Sequence, residues 1–197
     1  EHHAPSSWVC EEFNPELWKK AYGDYNALID KKTHFATKGY IAEFDIANFY
    51  DTINIDFLEL KLRNRISEKD SQFISILMVF LKYWNRKNNS YLNQRVGIPQ
   101  DYLGQASRIL ANFYLQEYDK EFKSYCDLEE VEFIRFADDQ TIICKSYHDC
   151  EKAIAVASKF LNRLGLNINQ KKVRILPVTE YRDEKCFELY KDFKTNI

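Results

Sequence analysis

The feature that most restricts the fold is a pair of short runs, Val131–Phe136 (VEFIRF) and Gln140–Cys144 (QTIIC), separated only by Ala137, Asp138 and Asp139. Both runs are rich in branched and aromatic residues, so they predict a β-hairpin with acids at its tip. A further strand is predicted at Gly39–Ile46 (GYIAEFDI), where apolar residues alternate behind a glycine and the far end carries Asp45. After the hairpin, Asp149 can cap a helix whose stripe of Ala153, Ile154, Ala157, Phe160, Leu161 and Leu164 stops at Gly165, a good C′ residue. Leu166–Ile168 and Val173–Leu176 then read as strand pieces around a turn, with Pro177 ending the region.

Helices fill the space between. From Asn54, a candidate N-cap, Ile55, Leu58, Leu62 and Ile66 recur at helical spacing, and a second helix from about Asp70 to Trp84 packs Phe73, Ile74, Leu77, Leu81 and Trp84. Asn85–Gln100 is rich in turn residues and charge and reads as an exposed loop, with room for a short hairpin around Tyr91. A long helix is predicted from about Leu103 to Tyr125 on Ala106, Ile109, Leu110, Phe113 and Phe122. Upstream, only a helix around Asn14–Ile29 stands out. The order strand, helices, hairpin, helix, strand specifies an α+β fold of split βαβ, or ferredoxin-like, type with helices on one face.

Composition limits what such a fold could do. The 197 residues suit one domain, or one domain plus a fragment of another, and 45% hydrophobic residues with 5 Gly and 4 Pro exclude collagen-like and wholly disordered chains. The longest nearly apolar run, Phe73–Leu81, is far shorter than the roughly 18 residues of a membrane helix, so neither a span nor a signal peptide is predicted. Twenty-eight basic against 30 acidic residues lack the bulk basicity of many nucleic-acid binders. Local patches at Lys61, Arg63 and Arg65, or at Lys171, Lys172 and Arg174, could still meet phosphate; a solvated face is the competing reading. Five cysteines (Cys10, Cys126, Cys144, Cys150, Cys186) with no Cys-x-x-Cys pair point to a reduced, intracellular protein without structural zinc. His2 and His3 at the extreme end read as a fraying terminus.

The acids carry the chemistry. Adjacent Asp138 and Asp139 repel each other, and a divalent cation would turn that repulsion into coordination. Successive strand side chains face opposite ways, so one aspartate is expected to be a principal ligand and the other peripheral. Asp45 ends the strand expected to run beside the hairpin, where its carboxylate can meet Asp138. Such an acid set suits Mg²⁺, and two ions about 4 Å apart can activate a 3′-hydroxyl and stabilise a leaving pyrophosphate. An ordinary Asp-Asp turn is the bland alternative.

Four segments resemble, in order, motifs A, B, C and D of the reverse transcriptase palm. They are FDIANFYDTI (Phe44–Ile53), GIPQ with SRILANFYL (Gly97–Gln100 and Ser107–Leu115), FADD (Phe136–Asp139) and LGLNINQKK (Leu164–Lys172). The wording LANFYLQEYD (Leu110–Asp119) is similar to bacterial abortive-infection and defence-associated enzymes. The resemblance implies a right-hand polymerase palm over residues 39–176, an N-terminal fingers-proximal segment over 1–38, and a connection or start of a thumb over 177–197. It implies an RNA-directed DNA polymerase using two Mg²⁺ ions, replaceable by Mn²⁺, with an RNA template, a DNA primer or product, and deoxynucleoside triphosphates.

By the same resemblance Asp45 and Asp138 are metal ligands, Asp139 assists, and the backbone carbonyl of Ile46 completes the shell. Tyr50 would lie under the sugar and block a 2′-hydroxyl, with Phe49 as a second nucleotide-binding residue; a core tyrosine is the other reading for Tyr50. Gln100 would sit near the incoming nucleotide, with a polar loop residue as the competing reading, and Lys172 would help protonate pyrophosphate or steady the triphosphate, with a surface lysine after a turn as the other. Two departures stand out: Asp101 replaces the usual glycine after Gln100, and the stretch to Ser107 is about two residues longer than the common pattern. No basic fingers segment has a match before Gly39, and residues beyond Leu176 are too few for a full thumb. Further expectations are a cytoplasmic protein without membrane contact, able to oligomerise, acting in anti-phage defence with a structured noncoding RNA or a partner protein. A catalytically reduced or template-independent domain that mainly binds RNA or protein is the alternative function, and a generic α/β scaffold the least specific one.

Overall fold

A computed structural model describes residues 18–34, 36–67, 71–84, 97–100 and 105–195. In chain order it contains α1 (Trp18–Thr33), β1 (Tyr40–Phe44), α2 (Phe49–Thr52), α3 (Ile55–Arg63), α4 (Ser71–Tyr83), α5 (Gln105–Leu128), β2 (Glu132–Phe136), β3 (Asp139–Cys144), α6 (Tyr147–Arg163), β4 (Arg174–Pro177) and α7 (Val178–Thr195), with a 3₁₀ turn at Gln170–Lys172 before β4. The predicted starts near Asn14, Asp70 and Leu103, the loop around Tyr91, and Asp101 lie outside the described residues. The four strands form one sheet in the order β2-β3-β1-β4, every neighbouring pair antiparallel.

Helices cover both faces of this sheet, not one. On the first face Ala42, Phe44, Ile142 and Cys144 pack against Leu58 of α3, Leu115 and Phe122 of α5, and Leu161 of α6. The second face presents Ile41 and Ile134, which meet Tyr25 and Ile29 of α1 and Val178 and Tyr181 of α7. The reason is in the strands: Ile41 and Ala42, adjacent and therefore on opposite faces, are both apolar, so both faces need cover. Each fully buried Leu or Ile contributes about 1.5–3 kcal/mol. No helix among the described residues is long and apolar enough to cross a membrane.

Three local differences from the sequence reading have clear causes. Helix α6 starts earlier than expected, because Ser146 is its N-cap: the Ser146 hydroxyl accepts the Asp149 amide at 3.1 Å and donates to Asp149 Oδ2 at 2.7 Å. Helix α4 buries only Ile74, Met78 and Leu81, while Phe73 is 72% exposed, since a helix apolar nearly all round has a single stripe to set against α3. Of the basic cluster at the end of α3, Lys61 is turned into the fold while Arg63 and Arg65 stay exposed. Lys61 is buried and donates to the Tyr114 carbonyl, Arg63 donates to Glu59, and Arg65 to Gln116.

The end of α6 prepares the site. Gly165 has a φ of +74°, the Leu166 amide reaches back to Leu161 O, and the Gly165 amide to Asn162 O. This is the Schellman arrangement, with buried Leu161 and Leu166 as its apolar contact. It turns the chain into an extended segment that pairs with the end of β1: Ala47 N donates to Asn167 O at 2.8 Å and Asn169 N to Asp45 O at 2.9 Å. The expected strand at Leu166–Ile168 is thus a single bridge, Ile168 to Ile46.

Candidate active site

Asp45 and the two aspartates of the hairpin meet at one edge of the sheet because β1 and β3 are direct neighbours. The ladder pairs Phe44 with Gln140, so Asp45 and Asp139 are the next residues outward on each strand. Parity puts both on the face of α1 and α7, with Glu43 and Thr141 behind them. The turn itself is only Ala137 and Asp138, since Phe136 already pairs with Asp139. A cleft of about 220 Å³ opens here, lined by Tyr22, Tyr25, Glu43, Asp45, Asp139 and Lys172 among others.

Asp45 is 5% exposed, and its two carboxylate oxygens differ. Oδ2 accepts from the Lys172 ammonium at 2.5 Å, whereas Oδ1 is buried without a partner. The 3₁₀ turn at Gln170–Lys172, anchored through Asn169 to the Asp45 backbone, returns Lys172 to this carboxylate. The bond to Asp45, and then its charge, raise the Lys172 pKa and hold the ammonium protonated.

The hairpin acids are strained electrostatically. Burial raises the Asp138 pKa first and Asp45 adds to it, against its own backbone amide, Lys172 and Arg135. Asp139 is pushed up to about 6 by loss of water, then by Asp138, Asp45 and Glu43, with Lys172 opposing. As the side chains stand, no three His, Cys, Asp or Glu among the described residues are gathered closely enough to hold an ion. Crowded carboxylates repel, and the Lys172 ammonium supplies the positive charge beside Asp45. The donor set fits a hard divalent cation, through the orphaned Asp45 Oδ1 and the two neighbouring carboxylates of Asp138 and Asp139.

The remaining sequence-predicted residues fall into two groups. Tyr50 is half-buried and lies in the fields of Asp138, Arg108 and Arg135; burial first, then Asp138, push its pKa up to about 12. Phe49 is 3% exposed and packs in the main core with its ring 5.4 Å from that of Tyr50, so it backs Tyr50 and does not present a face of its own to a nucleotide. Ile46 is buried at its bridge to Ile168. Gln100 is exposed at the end of Gly97–Gln100, a segment docked under motif A. There Ile98 N donates to Tyr50 O at 2.9 Å, and a Cβ on Gly97 would fall 2.1 Å from that same oxygen.

Sequence reading missed the buried frame beside the turn. Arg135 is 1% exposed and forms a two-pronged pair with Asp119 of α5, at 2.7 Å from Nε and 2.5 Å from Nη2. The available signal was Asp119 itself, an acid on the apolar stripe of α5 between Leu115 and Phe122, which demands a partner. Arg108, half-buried on α5 and facing Tyr50, was also missed.

Comparison with known proteins agrees with this geometry. Residues 14–183 match the family described as reverse transcriptase (RNA-dependent DNA polymerase). The chain is 27% identical over 124 residues to the retron Ec83 reverse transcriptase of Escherichia coli, covering 61% of this chain and 37% of that one. The chain therefore spans little more than a third of that relative. Among solved structures, the apo telomerase of Candida tropicalis superposes with a TM-score of 0.54 at 16% identity, covering 80% of this chain and 34% of that one. The Candida albicans telomerase in complex with a TWJ fragment of telomeric RNA gives 0.53 at 13% identity, covering 81% and 29%.

Proposed function

The chain belongs to the reverse transcriptase family, and from that premise we propose that it carries the catalytic core of an RNA-directed DNA polymerase. The observation that supports this most is the placing of Asp45 at the end of β1 beside Asp139 at the start of β3, with Asp138 in the adjoining turn and one oxygen of Asp45 buried without a partner. The strand order β2-β3-β1-β4 supports a ferredoxin-like palm over residues 39–176, flanked by 1–38 and 177–197.

Asp45, Asp138, Asp139 and the Ile46 carbonyl would hold two Mg²⁺ ions, or Mn²⁺ in their place. When bound, the metal pair acidifies a primer 3′-hydroxyl and stabilises negative charge on the leaving pyrophosphate. Lys172, kept protonated beside Asp45, is a proton source close to the reacting groups. Tyr50 remains a neutral phenol at working pH, and its ring acts as a wall against a 2′-hydroxyl. Phe49 supports that ring from the core, and exposed Gln100 would reach the incoming nucleotide from the segment docked on Tyr50.

The partners in this reading are an RNA template, a DNA primer or product and deoxynucleoside triphosphates. The Candida albicans telomerase, similar in fold, is in complex with a fragment of telomeric RNA, which is compatible with the RNA partner. Bacterial anti-phage defence in the cytoplasm, with a structured noncoding RNA or a defence protein and with oligomerisation possible, rests on the LANFYLQEYD resemblance and on the retron relative.

One observation favours a second reading, a catalytically reduced or template-independent domain that mainly binds RNA or a protein: the Lys172 ammonium sits on Asp45. Incubating the full-length protein with primed RNA, labelled deoxynucleotides and Mg²⁺ separates the two. Template-directed extension that is lost in Asp138→Asn supports the polymerase; RNA retention without extension supports the alternative.

A further inference from the structure

The turn bearing Asp138 is held by a side chain that no catalytic role involves. We propose that Arg135 is a positioning residue whose guanidinium sets the geometry of the Ala137–Asp138 turn, and through it the metal-binding carboxylates. The metal part of this proposal rests on the polymerase reading; the turn part does not.

Arg135 sits one residue before the end of β2, with its head group enclosed. Nε and Nη2 grip Asp119, while Nη1 donates both to Asn112 Oδ1 at 3.0 Å and to the Ala137 carbonyl at 2.6 Å. Asn112 and Asp119 are seven residues apart, two turns along the same face of α5. Three of the five guanidinium N–H groups thus grip α5 and a fourth holds the hairpin tip. A lysine, with one nitrogen, cannot span these acceptors.

The tip needs fastening. Ala137 has a φ of +53°, a left-handed conformation that a residue with a Cβ rarely adopts unless its surroundings enforce it. Its carbonyl belongs to the same peptide plane as the Asp138 amide, so fixing that oxygen orients the backbone from which the Asp138 carboxylate projects. A buried ion pair is a poor source of stability compared with apolar residues of the same volume. Arg135 is therefore better accounted for by the geometry it specifies than by stability.

The experiment compares the full chain with Arg135→Lys, which keeps a charge opposite Asp119 but loses the fork, and with the double variant Arg135→Met/Asp119→Leu, which removes the pair without leaving a buried charge. Melting temperature, amide hydrogen exchange at Asp138 and Asp139, and calorimetric titration with MnCl₂ are measured. In the double variant the melting temperature should stay near that of the unmodified chain, while exchange at the two aspartates accelerates and Mn²⁺ binding weakens about tenfold, the usual size when a group that orients a ligand is lost. The lysine variant should show the same local exchange and the same weakening. Unchanged exchange at the turn in both variants overturns the proposal. Faster exchange in a protein that binds no Mn²⁺ even when unmodified upholds the turn-setting role and overturns the metal reading of the acids instead.

Discussion

Two ion pairs flank the same hairpin and differ in almost every respect. Arg135–Asp119 is closed: the guanidinium is 1% exposed, and both carboxylate oxygens are taken. Lys172–Asp45 is half open: the lysine side chain is 65% exposed, the aspartate 7%, and one carboxylate oxygen has no partner. The first pair joins helix to hairpin and leaves nothing over for chemistry. The second holds a movable charge against a carboxylate that still has bonding capacity. Charge in a protein interior can thus serve rigidity or reactivity, and the count of satisfied atoms separates the two.

The largest test of this contrast is Asp138→Asn, which should abolish nucleotide incorporation while leaving the circular dichroism spectrum and melting temperature near those of the unmodified protein. Next, Arg135→Met should destabilise the fold by about 3–5 kcal/mol in urea titration, because Asp119 is left buried without compensation. Lys172→Met should cost less stability, because the ammonium it removes is largely exposed although Asp45 is not, yet it should lower the incorporation rate, by about 10²-fold if the lysine donates a proton. Equal effects of these two substitutions on stability would erase the distinction.

Smaller effects come from the hairpin acids and Tyr50. The folded pKa of Asp139 lies above its ordinary value of 3.8, so its carboxylate costs stability that is absent near pH 4 and complete above about 6. Metal-free protein should therefore lose melting temperature as pH rises through this window, less steeply in Asp139→Asn, and Mn²⁺ should raise the melting temperature more at pH 7 than at pH 5. Finally, Tyr50→Val should raise ribonucleotide incorporation with little effect on deoxynucleotide turnover, as measured in parallel primer extensions.

The sequence carried the open pair far better than the closed one. Asp45 ends an alternating strand and Asp138–Asp139 interrupts a hairpin, so local periodicity alone brings them to notice. Arg135 also lies in a strand, but its meaning depends on Asp119, sixteen residues upstream on another element, and strand alternation cannot show that contact. Lys61 repeats the lesson: in sequence it belongs to a basic cluster, yet three residues after Leu58 it falls on the buried stripe and donates to the Tyr114 carbonyl. The cover on the second sheet face was also hidden, since α1 and α7 have weakly periodic sequences and owe their docking to the apolar face of the strands.

The Schellman end of α6 has a wider reach than its few bonds suggest. It couples the phase of a seventeen-residue helix to the registry of Asn167–Asn169 along β1, and so to the placement of Lys172. Lengthening α6 by one residue would rotate its exit by about 100° and send the following segment off course, disarming the cleft while every residue that lines it remained intact.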